Sequence, residues 1–481
     1  MNATGKITIF LMLISYGLGQ SAWGQGSDLD DILEGFDQPT EIPRTDSELD
    51  EAISGFATPQ NGPDKSSVLP GEDSPFPMQS RLKISGGLTM GASYNFAHSQ
   101  PLPGETDYRG LSRCRSALDL DADLTLPKKW QARIGGKVFY DFAYSIKGRD
   151  EYTAEVLKNY EDEIEFTEVY LQGALLKNLD LKAGRQIVVW GKSDNIRVTD
   201  LLNPLDNREP GVVDIRDLRL PVTMTKLDYY HGAWNISALM IHENRFNKDP
   251  VFGNDFYPGT TPAPVEEKLS TGIDHQEYGL AANGIFEGWD LSFYGASLYD
   301  DQPHREITPT GVKLRHSRIS MAGSAVNIAL GNWLLKAEAA WLSGLEYSVD
   351  VGPKSRLDIL IGTEYTGFNE TVISLELANR HIFDFDQQLE QAPVYGQEDE
   401  LQYVLRLSHD FYHDTLQLTA LLSSFGLTGD DGAFQRLNIK YNWSDAIAIT
   451  TGIINYQNGN KTLFKNIEDN DRLFAEVRYS F

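Results

Sequence analysis

The sequence predicts an all-β protein, a transmembrane antiparallel β-barrel of about eighteen strands with a loop folded inward after the fifth. Three observations carry that expectation. From Arg81 to Phe481 apolar residues recur at every second position, short polar breaks alternate with long ones, and the chain ends on the aromatic residue of one more alternating run. Composition agrees with it. The 481 residues are 41% hydrophobic and 11% aromatic, and past residue 24 no apolar run reaches the roughly 18 residues that a membrane-crossing helix needs. The single cysteine, Cys114, can form neither an internal disulfide nor a thiolate metal site by itself. Forty-two Lys and Arg against 69 Asp and Glu give a net charge of -27, so a nucleic-acid partner, which needs surplus cations, is disfavoured.

Residues 1–24 read as a secretory signal, with Lys6 in a polar start, a mostly apolar stretch over 7–18, and small residues at Ala22-Trp23-Gly24. Residues 25–80 carry thirteen acids and two bases and are expected to form a disordered acidic periplasmic tail. Within it Ser27 to Phe36 recurs as Ser47 to Phe56, with five identities in ten. Leu29, Ile32, Leu33 and Phe36 fall at helical spacing, and Leu49, Ile53 and Phe56 repeat the pattern. Each copy is expected either to dock a periplasmic partner or to form a transient helical turn with none.

Residues 81–481 form the barrel domain. Leu118, Leu120, Ala122, Leu124 and Leu126 alternate with acidic or small residues, which puts the leucines toward lipid and Asp119, Asp121 and Asp123 toward water. Their spacing of about 6.6 to 7 Å along one strand face suits no single shared cation. The next run turns Ala132, Ile134, Val138, Tyr140, Phe142 and Tyr144 outward and Arg133 and Lys137 inward, with Trp130 and Tyr144 expected in interfacial belts. By the same alternation Glu168, Lys182, Lys336, Glu338, Arg436, Lys440, Glu476 and Arg478 line the lumen. Eight tight turns, from Pro127-Lys128-Lys129 to Ser444-Asp445, alternate with nine longer connections, which yields eighteen strands. Strands near 311–330 and 354–366 carry the weakest pattern, and sixteen is the count without them. The last run, Leu473 to Phe481, resembles the carboxy-terminal insertion signal of outer-membrane barrels, with Tyr479 and Phe481 as its aromatic residues; the barrel-assembly machinery and outer-membrane lipid follow as partners.

One stretch interrupts the alternation. It comprises Gly184-Arg185-Gln186-Ile187-Val188-Val189-Trp190-Gly191-Lys192, Leu202-Asn203-Pro204-Leu205-Asp206, Pro210-Gly211 and Leu220-Pro221-Val222. Here the chain resembles a family of bacterial outer-membrane β-barrels of unassigned function, commonly encoded near exporter or lipoprotein genes and distantly similar to long-chain export and porin-type barrels. Lys192 stands where many members have an acidic residue. The resemblance implies an outer-membrane location and a periplasmic exporter component or lipoprotein as partner.

Residues 191–221 hold five bases and six acids among interspersed leucines, valines and prolines, the composition of a loop packed inside a lumen. Arg185, Lys192, Asp194, Arg197, Asp200, Asp206, Arg208, Asp214, Arg216, Asp217 and Arg219 are the candidate constriction residues, either orienting a polar solute or pairing into a structural plug. The sequence contains no His-Glu-x-x-His, Gly-x-Ser-x-Gly or phosphate-loop motif, so neither catalytic residues nor a metal or other cofactor are expected. The functional expectation is an outer-membrane pore for a small polar or lipid-like solute, in an export system or alone. The alternative is a non-conducting, plugged barrel that recruits periplasmic partners.

Overall fold

The computed structural model describes residues 81–481 apart from Lys268, Ser270 to Gly272 and Thr310. The proposed signal and the tail, with Leu29, Ile32, Leu33, Phe36, Leu49, Ile53 and Phe56, lie outside the described residues. Eighteen antiparallel strands form one closed sheet. Its first half comprises β1 Leu82–Asn95, β2 Gly110–Thr125, β3 Gln131–Asp141, β4 Asp162–Leu176, β5 Leu179–Gln186, β6 Val222–His231, β7 Trp234–Ile241, β8 Glu277–Phe286 and β9 Trp289–Tyr299. The second half comprises β10 Arg318–Leu330, β11 Trp333–Leu345, β12 Lys354–Phe368, β13 Thr371–Ile382, β14 Asp399–Phe411, β15 Leu416–Phe425, β16 Gly432–Ser444, β17 Ile447–Gln457 and β18 Arg472–Ser480.

Closure falls between the two ends of the described chain. β1 pairs with β2 on one side, Leu82 opposite Leu124, and with β18 on the other, Gly87 opposite Ser480. The C-terminal Phe481 continues the seam, since its N–H donates to the Gly86 carbonyl and the Gly86 N–H donates back, both at 3.0 Å. In hydrocarbon an unpaired backbone group costs several kcal/mol, and a closed ladder leaves none at an edge. The period of two then sorts the side chains. Ile84, Met90, Leu120, Ile134 and Val138 are exposed on the outer face, while Asp119, Asp123 and Arg133 point into the lumen.

All eight tight turns join strands at the places the sequence indicates. Aromatic residues flank them, including Trp289 stacked on Phe286 at 4.3 Å between ring centroids, and Trp333 against Tyr365 at 4.4 Å. Outward-facing Tyr479 and Phe481, 6.0 Å apart, belong to the same rim. Such rings, apolar in body and polar at one edge, suit the membrane interface.

The two weak segments do form β10 and β12, so the count is eighteen. Two details differ from the sequence reading. Residues Gly311–Arg315 leave the barrel and pair instead with His304–Thr308 and Val265–Glu266 in a small three-stranded sheet built from two long loops. Alternation registers extended backbone but not which sheet receives it. Tyr144 is not a belt residue; it lies in a short helix, Ala143–Lys147, and is buried against Val156 and Tyr160. A helical turn after Asp141 ends the strand period there.

Gly184 in β5 has a φ of +131° and would set a Cβ 2.2 Å from the Val169 carbonyl oxygen of β4, so a side chain is excluded both by conformation and by space. Gly184→Ala is expected to cost about 1–3 kcal/mol, read as a lower denaturant midpoint of the refolded barrel. Gly295→Ala in β9, whose nearest neighbour would stand 4.0 Å away, serves as the control and is expected to leave that midpoint in place.

Candidate pore constriction

The chain leaves β5 at Gln186 and returns at Val222, and the intervening segment lies inside the barrel. Its two arms are stitched together near their base. Asn203 Oδ1 accepts from the Val188 N–H at 2.9 Å and its amide nitrogen donates to the Leu220 carbonyl at 2.9 Å, while the Leu220 N–H donates to the Pro204 carbonyl at 2.7 Å. Gln186, fully buried, donates to the Met224 carbonyl at 3.2 Å. These bonds give a physical reason for the Asn203-Pro204 and Leu220-Pro221 pairs and for the Gln of Gly-Arg-Gln. Arg185 grips Glu243 through both carboxylate oxygens, at 2.7 and 2.6 Å, and tethers the next long loop to the same base. Burial would raise the Glu243 carboxyl, yet the bonds from Arg185 and Thr223 outweigh it and hold it below the usual carboxylate range.

Apolar residues carry the loop to one wall. Trp190, Ile196, Val198 and Leu202 are each at most 3% exposed and pack on inward-facing residues of β6 through β15, with Trp190 stacked on Tyr294 at 4.9 Å. Two wall carboxylates complete the attachment. Glu338 on β11 accepts from the Lys192, Ser193 and Thr199 N–H groups at 2.6, 2.7 and 3.2 Å and from the Thr199 hydroxyl at 2.7 Å. Glu376 on β13 accepts from the Asp194, Asn195 and Ile196 N–H groups at 2.8, 3.0 and 3.1 Å and from the Ser193 hydroxyl at 2.7 Å. A run of backbone donors curled around an anion is a charge-assisted nest. Gly191, at φ +88°, is required beneath it, because a Cβ would stand 2.7 Å from the Glu338 carboxylate.

The far end of the loop reaches the opposite wall. Tyr456 on β17 donates to the Pro210 carbonyl at 2.6 Å, Asp214 takes Arg406 at 3.2 Å and also Arg436, and Glu209 takes Arg115 at 3.3 Å and Arg113 at 3.5 Å. Burial opposes ionisation of Glu209, but Arg115 and Arg113 overcome it and pull the carboxyl down to about 2, so it stays charged at working pH.

Of the eleven candidate residues, eight have their charge engaged by fixed partners. Arg185 holds Glu243, and Lys192 holds Asp290 at 2.7 Å. Arg197 donates to the Asp200 and Asn203 carbonyls at 2.6 and 2.7 Å, and Arg219 meets the Asp200 carboxylate at 2.8 Å. Arg208 ties Asp206 to Glu163 on β4, and Asp214 is held as described. The other three expose their heads: Arg216 at 73% and Asp217 at 64%, which face each other at 3.9 Å, and Asp194 at 56%, reached on one side by Lys336. All three stand within the electrostatic reach of Arg406 on β14, together with Glu364.

On the wall, Asp119 is held bidentately by Arg478 at 2.9 and 2.8 Å, and Asp123 by Arg133 at 2.7 and 2.9 Å. Asp121, opposite Gly135, and Lys137, opposite Asp119, take part in no ion pair among the described residues. The alternation that marks Glu338 also runs through Ser374, Glu376 and Ala378, and extending it into β13 identifies Glu376, which the sequence reading missed. Among the described residues no group of three or more His, Cys, Asp or Glu is placed to hold a metal ion.

The barrel is similar to solved structures of low sequence identity. These include Acinetobacter baumannii OccAB3, at 12% identity and TM-score 0.51 over 84% of this chain and 99% of that one, and Pseudomonas aeruginosa OccK2 (OpdF), at 14% and 0.50 over 84% and 98%. The outer membrane protein opdK from Pseudomonas aeruginosa matches at 10% and 0.49 over 84% and 99%. No curated protein matches the sequence. The family described as protein of unknown function (DUF1302) matches residues 95–481. The chain therefore belongs to the DUF1302 family, whose pattern it follows from the end of β1 to its last residue.

Proposed function

We propose that this protein is an outer-membrane channel through which a small polar or lipid-like solute passes beside the in-folded loop. One observation carries the reading. Inside a closed barrel three charged heads of the loop, on Arg216, Asp217 and Asp194, are more than half exposed, and a charge left in a dry, low-dielectric interior is far too costly to persist. Water therefore reaches the narrowed section, while the loop's remaining charges serve as braces. The barrel fold, shared with the OccAB3 and OccK2 structures, supports the same reading. Whether the solute moves outward in an export system or inward depends on periplasmic partners, for which an exporter component or lipoprotein is the family expectation.

Conductance of the purified barrel in planar bilayers tests this function: a steady ion current is expected, and a sealed barrel would remove the proposal. A unit charge at about 4 Å in water is worth about 1 kcal/mol, or about fivefold, and a reversal changes two units, so Arg216→Glu is expected to move the cation-to-anion permeability ratio by more than about fivefold toward cations, and Asp217→Lys a similar amount toward anions. Removing a buried carboxylate that four donors surround leaves those donors unsatisfied at about 1–3 kcal/mol each. Glu376→Ala is accordingly expected to release the loop from its wall, read as a larger and more heterogeneous single-channel conductance with the barrel still folded.

A further inference from the structure

Two long loops at the barrel end opposite the tight turns meet around one buried histidine. Residues 242–276, between β7 and β8, supply Phe246, Asp249 and Glu266, and residues 300–317, between β9 and β10, supply Asp300, His304 and His316. The His316 side chain is 1% exposed, and its ring stacks on Phe246 with 3.4 Å between ring centroids and 5° between planes. Its two nitrogens have unequal partners. Nδ1 lies 2.6 Å from the Asp300 carbonyl, which can only accept, so Nδ1 carries a hydrogen and donates it. In the neutral ring that leaves Nε2 as a bare acceptor, and Nε2 is buried without a hydrogen-bond partner, 3.4 Å from the Glu266 carboxylate. A lone pair then faces a carboxylate with no donor between them. One proton removes both faults, because an imidazolium donates from both nitrogens.

Glu266 belongs to the shortest strand of the small three-stranded sheet. Val265–Glu266 runs parallel to Gly311–Arg315 through two residue pairs, and the Glu267 N–H adds one bond to the Leu314 carbonyl at 2.8 Å. A ladder so short is marginal by itself. The other charges nearby are acids or are already paired. Asp249 and Asp300 lie within the electrostatic reach of His316, with Asp301 beside them, and Arg356 acts on Asp300. On the small sheet Arg315 pairs with Glu267 and Glu306, and Lys313 with Glu267 at 3.5 Å. His304 differs from His316. Its Nε2 meets Glu346 at 3.0 Å while its Nδ1 is buried with no partner, so the neutral ring already makes that bond and a second proton would create a buried donor without an acceptor.

We propose that His316 is a proton-operated clasp, which with Nε2 protonated bonds to Asp300 and Glu266 together and holds the Val265–Glu266 strand on the small sheet, and with Nε2 bare releases that strand. The direction follows from the proton count. The clasped form carries one more proton, so it gains as pH falls through the range where an imidazole titrates, about pH 8 to 5, and loses as pH rises. The clasp goes beyond the channel reading and needs no current through the barrel.

Hydrogen exchange on the detergent-purified full chain reads the clasp at Glu267, whose amide belongs to the small-sheet ladder. Protection of the peptide spanning 262–267, referred to its own unstructured rate at each pH, is expected to be about tenfold higher at about pH 5.5 than at about pH 8, the equilibrium change given by one hydrogen bond to a charged group. His316→Gln, which cannot charge, is expected to abolish that difference. Glu266→Gln replaces the carboxylate by an amide that donates to the neutral ring, and it is expected to raise protection at the higher pH to the acid level, a gain that a merely structural contact would not give. His304→Gln is expected to leave the difference in place. Equal protection at the two pH values in the unaltered protein, a difference that survives His316→Gln or vanishes in His304→Gln, or no gain in Glu266→Gln would overturn the clasp. The two pH values on the unaltered protein decide the matter if a variant does not assemble.

Discussion

Every feature of this molecule depends on one constraint: in hydrocarbon, each backbone N–H and C=O of a strand must find a partner in a neighbouring strand. The seam between β1 and β18 satisfies it where the first and last strands of the barrel meet, down to the reciprocal bonds of Gly86 and Phe481. Once the sheet is closed, the period of two separates lipid-facing from water-facing side chains without further information. The interior is then free to hold charge, and the energetic problem moves from the backbone to the lumen.

The loop after β5 meets that problem in two ways. Its apolar residues turn about half of the barrel wall into a packed core with the loop as its second layer. Its backbone donors receive two buried carboxylates, Glu338 and Glu376, which would be strongly destabilising without the four donors each one has. The attachment is polar and specific rather than merely greasy. It fixes which loop atoms face the wall and leaves Arg216 and Asp217 on the wet side.

Much of this is legible in the sequence because strand alternation and tight-turn chemistry are local. The eighteen strands, the eight turns and the inward loop all follow from residues close together in the chain. What is not legible depends on distant partners. Glu338 and Glu376 meet loop residues roughly 140 to 185 positions earlier, so nothing near Lys192 or Ser193 in sequence signals them. For the same reason mixed charge over 191–221 cannot separate braces such as Arg197 and Arg219 from exposed heads such as Arg216; burial alone distinguishes them. The small sheet around His304–Thr308 escaped because extended backbone in a loop carries the same alternation as a spanning strand.

Because the loop is layered on β6 through β15, the two sides of the cylinder are not equivalent. The loop meets the remaining sector through ion pairs and hydrogen bonds to Arg115 on β2, Glu163 on β4, Arg436 on β16 and Tyr456 on β17. Changes at Ala340, Leu360 or Ala378, each at most 1% exposed, strike the packing of the first arc itself. A single ring of strands is thus asymmetric by angle, with its larger apolar cluster gathered on one arc.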